Sequence, residues 1–194
     1  MSIVTRQGKG SRLSVEEMDG NFTYLDQFTR KYKVYTALLA QSGVDTLRSI
    51  FWDDSVNNLT IGVTYEITNS TNVDFTNVGA ANNNIGTKFV ATGITPNSWG
   101  GGVLDYNEGV PVVTVLENTI GDIWFTYEGI GLYYLKSNSL FVNSKTWYSI
   151  LANANGSGGH LFNLTYIDDS TILVEVTTGD SVLNNTPIKI EVYN

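Results

Sequence analysis

A chain of 194 residues with 42% hydrophobic, 12% aromatic and only 15% charged residues can bury a core, and is too rich in aromatic and β-branched side chains to stay disordered. Its formal net charge of −8 is unevenly placed: residues 1–33 hold six Lys/Arg and four Asp/Glu, a net +2, and residues 34–194 hold five and fifteen, a net −10. A body this acidic argues against nucleic-acid binding, no run reaches the length of a membrane helix, and the absence of cysteine excludes disulfides.

The N-terminus, MSIVTRQGKG, lacks the apolar core of a signal peptide, so synthesis in a cytoplasm without secretion by that route is expected. The next stretch predicts an amphipathic helix ending near Arg30, Lys31 and Lys33. Ser14 and Glu17 have the spacing of a capping box, and Glu16, Glu17 and Asp19 suit the positive end of a helix dipole. Val15, Met18, Phe22, Leu25 and Phe28, with Leu13 ahead of them, form one apolar stripe. The stripe must be covered by this protein's own body, by further copies in a heptad seam, or by another protein. Gly20 inside the helix costs roughly 1 kcal/mol against Ala, which predicts a close backbone approach or a kink there. Arg6, Lys9 and Arg12, set among glycines, read as an arm meeting an acidic partner.

The run Gly10 to Phe22, GSRLSVEEMDGNF, resembles the N-terminal signature of many tailed-phage virion proteins, among them fibres and other appendages. Those chains open on Gly, a Leu-Ser/Thr pair, then Glu, Met/Val-Asp, any residue, and Asn-Phe. The resemblance marks a phage structural protein and not a particular component. It implies that this end is virion-proximal and that the partners are other virion proteins of capsid, neck or tail. It also implies a homo-oligomer, with a trimer favoured, located in the virion after synthesis in the host cytoplasm. Leu13, Val15, Met18, Phe22, Leu25 and Phe28 are then the candidate docking or oligomerisation residues. No nucleic acid and no membrane are expected as partners.

Beyond the helix the pattern is β. Strands are expected at 34–42, 47–52, 60–68, 73–80 and 88–92, with Thr95 to Gly102, TPNSWGGG, as the most irregular stretch. Further strands are expected at 110–118 and 120–127, close enough for a hairpin or one bulged strand, then at 132–136 and 140–142. Lys145 to Leu151 is ambiguous between strand and helix, and Asn153 to Gly159 is a loop. Strands at 161–167, 171–177 and 187–193 close the chain, with Asp168-Asp169-Ser170 as a tight turn. The fold class is mainly β: an antiparallel sandwich or barrel-like body preceded by one N-terminal amphipathic helix.

Two organisations remain open. YKVYTALLAQSG (Tyr32 to Gly43) and PVVTVLENTIGDIWFTY (Pro111 to Tyr127) resemble neighbouring pieces of one module found in phage structural proteins, where they run almost directly together. The intervening residues resemble a separate small β-module of such proteins. This implies an arm and helix at 1–33 and a body at 34–194 carrying an insertion at 44–109. The alternative is one continuous sandwich.

Catalysis finds little support. The single His160 follows two glycines, and no Gly-x-Ser-x-Gly elbow exists. Asp53-Asp54 and Asp168-Asp169 fit turns, and adjacency in sequence does not set two carboxylates across a glycosidic bond. Gly8-Lys9-Gly10-Ser11 lacks the upstream Gly and strand of a phosphate loop. No catalytic residue, metal or cofactor is expected. Trp52, Trp99, Trp124 and Trp147 could stack on sugars, or serve as core. Trp99, flanked by Ser98 and Gly100 to Gly102, is the one expected to be exposed and to contact a glycan, in the alternative reading of a carbohydrate-binding receptor module.

Overall fold

A computed structural model describes residues 4–5, 8, 10–29, 31–51, 59–151, 161–177 and 182–193, with the backbone alone over 23–29. A helix, α1 (Val15–Thr29), comes first. It is followed by β1 (Tyr32–Ala40), β2 (Leu47–Phe51), β3 (Thr64–Asn69), β4 (Val73–Asp74), β5 (Lys88–Val90), β6 (Ser98–Trp99) and β7 (Val103–Asn107). Then come β8 (Val112–Asn118), β9 (Ile123–Gly129), β10 (Leu132–Ser137), β11 (Thr146–Ile150), β12 (Phe162–Asp168), β13 (Thr171–Val176) and β14 (Thr186–Tyr193). The protein is mainly β with antiparallel sheets, and its one long helix lies near the N-terminus.

Two four-stranded sheets, ordered β11-β14-β1-β8 and β12-β13-β10-β9, enclose one core. Alternation explains the packing: along β10, Tyr133 and Leu135 are buried while Leu132, Tyr134 and Lys136 lie half-buried on the other face. Tyr35, Ala37 and Leu39 of β1 and Ile188 and Ile190 of β14 meet Phe125, Tyr133, Leu135, Ile172 and Val174 from the facing sheet. The tight turns carry the expected chemistry. Gly131 takes φ +69° between β9 and β10, and Asp168 Oδ1 accepts from the Ser170 N–H at 2.8 Å between β12 and β13.

Strands β2 to β7 pair only among themselves, as a sheet β2-β7-β3-β5 and a ribbon β4-β6. They surround a second core built on Leu59, Tyr65, Ile67, Phe75, Phe89, Trp99 and Leu104. This segment leaves and rejoins the sandwich between β1 and β8, which are themselves paired. Its two ends are zipped together: the Glu108 N–H donates to Thr46 O at 2.9 Å, and Asn107 Nδ2 donates to Asp45 Oδ1 at 2.7 Å. Gly43 lies so close to this neck that a Cβ there would sit 2.0 Å from Glu108 O.

Several sequence expectations change. The helix stops at Thr29 and β1 begins at Tyr32, so Lys33 belongs to the sheet. β8 and β9 form no hairpin, because they lie in opposite sheets. Asn118 turns the chain between them, its Oδ1 accepting from the Ile120 and Gly121 N–H groups and its Nδ2 donating to Gly121 O. The strand expected over 73–80 shrinks to β4 and a 3-10 turn at Thr76–Val78, and residues 140–142 form no strand. Residues 145–151 resolve to strand β11, and β7 stands where no strand was expected. Asp53, Asp54 and the loop 153–159 lie outside the described residues.

Candidate functional site

The N-terminal segment is built as its sequence dictates at the cap. The Ser14 N–H donates to Glu17 Oε2 at 2.8 Å and the Glu17 N–H donates to Ser14 Oγ at 3.2 Å, a reciprocal capping box. Its own backbone N–H, and then the Ser14 hydroxyl, hold the Glu16 carboxyl below the usual carboxylate range. A contact not foreseen ties the arm to the helix. Asn21 grips the main chain of Val4 from both sides, its Oδ1 accepting from Val4 N–H and its Nδ2 donating to Val4 O, each at 2.7 Å.

Among the described residues, the large side chains of the apolar stripe are exposed. Val15 is 62% exposed, Met18 40% and Phe22 69%, and among the described residues no strand packs along the helix. Leu13 is half-buried. Leu25 and Phe28 continue the helix, but their side chains lie outside the described residues. A Cβ on Gly20 would meet nothing within 4 Å, so the close backbone approach expected there is not made by the described residues.

Trp99 also requires correction. It is 4% exposed, packs edge-on against Phe75 with centroids 5.4 Å apart, and donates Nε1–H to Gly102 O at 2.8 Å. The flanking glycines, taken in sequence as a sign of exposure, instead let backbone close around the ring. A Cβ on Gly102 would lie 2.1 Å from Val73 Cγ1, and one on Gly100 would lie 3.1 Å from Asn72 Cβ. Trp99 therefore belongs to the core of the β2–β7 segment and cannot serve as a glycan platform. Trp147 is 49% exposed on β11, with Lys189 Nζ 6.0 Å from its ring centroid. Trp124 is half-buried on β9, while Trp52 and His160 lie outside the described residues.

The seam between the β2–β7 segment and the sandwich holds two clefts. The Phe125 N–H donates to Thr64 Oγ1 at 3.4 Å and the Val113 N–H donates to Gly62 O at 2.8 Å across it. Gly62 takes φ +88°, and a Cβ there would lie 2.4 Å from Val113 O. One cleft of about 500 Å³ runs between the loop at 81–88 and the outer face of β9 and β10. A second, of about 190 Å³, lies between β3 and β7 on one side and β9 on the other. Lys88 and Thr126 line both. No sequence pattern signalled this seam, because its two walls come from segments that approach only once both units have folded.

Among the described residues no group of three His, Asp or Glu side chains is placed to hold a metal ion, and no helix is long and apolar enough to cross a membrane. Comparison with protein-family models, with curated proteins and with solved structures finds no match to this chain.

Proposed function

We propose that this chain is a structural subunit of a tailed-phage virion, a head or tail fibre or a similar appendage, docked through its N-terminal segment. The observation that carries the reading is the uncovered stripe Val15, Met18 and Phe22 on a well-capped helix, lying within the segment whose sequence resembles the virion signature. Large apolar side chains on a surface helix need a partner. Two heptads make a marginal coiled coil alone, so docking on a virion protein and self-association, a trimer being favoured, act together. On this reading the chain works in the virion as a scaffold and not as an enzyme, and needs no cofactor, nucleic acid or membrane. The β2–β7 segment is then a module inserted at 44–109 in a loop of the sandwich, which its closed strand pairing and separate core support.

Deletion of residues 1–29, which spares β1, tests the reading. The truncated chain is expected to stay folded and to be lost from particles. A milder variant, Val15→Ser with Met18→Ser and Phe22→Ser, should lower the mass measured by light scattering and reduce incorporation. Normal incorporation of either variant overturns the docking role.

A further inference from the structure

We infer that the seam between the β2–β7 segment and the sandwich is a binding groove for an uncharged, hydroxyl-rich saccharide. The inference does not rest on the virion reading.

The larger cleft has the chemistry such a ligand needs. Trp124 supplies an aromatic surface for the C–H face of a pyranose ring, since the ring π-face carries partial negative charge. Asn138 and Asp122 stand beside it on the sandwich, and Asn84 from the loop and Lys88 at the start of β5 line the opposite wall. Asn84, Asn138 and Asp122 make no side-chain hydrogen bond to another described residue, so their donors and acceptors stay available to hydroxyls. The loop that presents Asn84 is braced from within. Asn82 Oδ1 accepts from the Asn84 N–H at 2.9 Å and from Thr87 Oγ1–H at 2.6 Å.

The smaller cleft extends the groove past Lys88 and Thr126. Asp105 lines it and keeps Oδ1 buried with no hydrogen-bond partner among the described residues. A buried carboxylate oxygen without a donor is costly, and a ligand hydroxyl reaching the end of the groove would satisfy it.

Charge selects the ligand class. The two clefts are lined by Lys88, Lys136, Glu66, Asp105 and Asp122, a formal net charge of −1, and Lys88 pairs with Glu66 at 3.2 Å. With a body of net −10 around it, an acidic saccharide gains nothing there. Trp147 is more exposed, but Lys189 Nζ lies 6.0 Å from its ring centroid and it lines neither of these two clefts.

The full-length chain should be applied to a glycan array carrying uncharged and acidic oligosaccharides side by side. Binding to uncharged members is expected. Asn84→Ala with Asn138→Ala, both at exposed positions, should weaken it at least tenfold with an unchanged melting temperature. Titration with the best array member should shift the Trp124 indole N–H resonance and leave that of Trp147 in place. Absence of binding, binding confined to acidic glycans, binding unaffected by the double variant, or a shift at Trp147 alone would each overturn the assignment. Particle incorporation is read separately, so failure of either proposal leaves the other standing.

Discussion

Replacing Trp99 separates a structural role from a recognition role. A tryptophan buries about 150–250 Å², worth about 4–6 kcal/mol at about 25 cal/mol per Å². Trp99 is nearly inaccessible and makes an edge-to-face contact with Phe75. Trp99→Ala also removes the donor to Gly102 O, a buried acceptor. Partial collapse of the site offsets some of this, so the expected loss is about 4 kcal/mol. That approaches the whole stability of many domains. Trp99→Phe keeps most of the packing and leaves Gly102 O unsatisfied, for an expected loss of about 1–3 kcal/mol. Urea denaturation gives the totals. Amide hydrogen exchange gives the location: protection should fall first in β3 and β7, while β10 and β13 hold theirs. A Trp99→Ala change below about 1 kcal/mol, or protection lost first in β10 and β13, would refute the placement of Trp99 in a separate core.

Four further outcomes follow from named contacts. Tyr35 is fully buried and its hydroxyl has no hydrogen-bond partner among the described residues, so Tyr35→Phe should be neutral or stabilising by about 1 kcal/mol in urea melts; a loss above that would reveal a partner for the hydroxyl. Burial also pushes the Tyr35 phenol up by penalising its phenolate, so the fold keeps its stability below about pH 10 and loses it as pH rises toward the folded value; Tyr35→Phe should flatten the alkaline limb of a pH–stability curve. Asp74 accepts from the Thr76 hydroxyl at 2.6 Å, Asn97 Nδ2 at 2.9 Å and the Thr76 N–H at 3.1 Å, which hold its carboxyl well below the usual range. Its contribution is therefore complete above about pH 4 and is lost as pH falls toward the folded value, so Asp74→Asn should reduce the acid dependence of the melting temperature; an unchanged slope would refute this. Gly43→Ala drives a Cβ against Glu108 O and should cost about 1–3 kcal/mol by thermal denaturation, with a neutral result contradicting the close-packed neck.

Local features were legible in the sequence and tertiary ones were not. The Ser14–Glu17 cap, the 168–170 turn and the alternation that makes β10 and β13 depend on neighbours close in the chain. The strand β7, VLDYN, carries an Asp and an Asn after three glycines and reads as polar loop. It becomes a central strand only because β2 and β3 flank it. The arch at Asn118 has the composition of a hairpin turn, and nothing local says that its two strands enter different sheets. Trp99 failed for a related reason: a glycine run permits either exposure or intimate packing, and only the 69–73 turn opposite decides between them. The saccharide groove was illegible, since Asn84 and Asn138 meet through the docking of one folded unit on another.

The zipped neck bears on the order in which the chain assembles. Ala40 pairs with Val112, so joining β1 to β8 from an unfolded chain closes a loop of roughly 70 residues, against roughly four in a simple hairpin. At about 0.6 kcal/mol per doubling, that difference is about 2.5 kcal/mol of closure entropy. Once β2 to β7 have folded, Asp45 and Thr46 lie against Asn107 and Glu108, and the two flanking strands emerge side by side. The segment then acts as a clasp, presenting β1 and β8 in register before β14, far along the chain, arrives to pair with β1. A neck mutation such as Gly43→Ala should for this reason slow refolding of the sandwich, although Gly43 contributes nothing to the sandwich core.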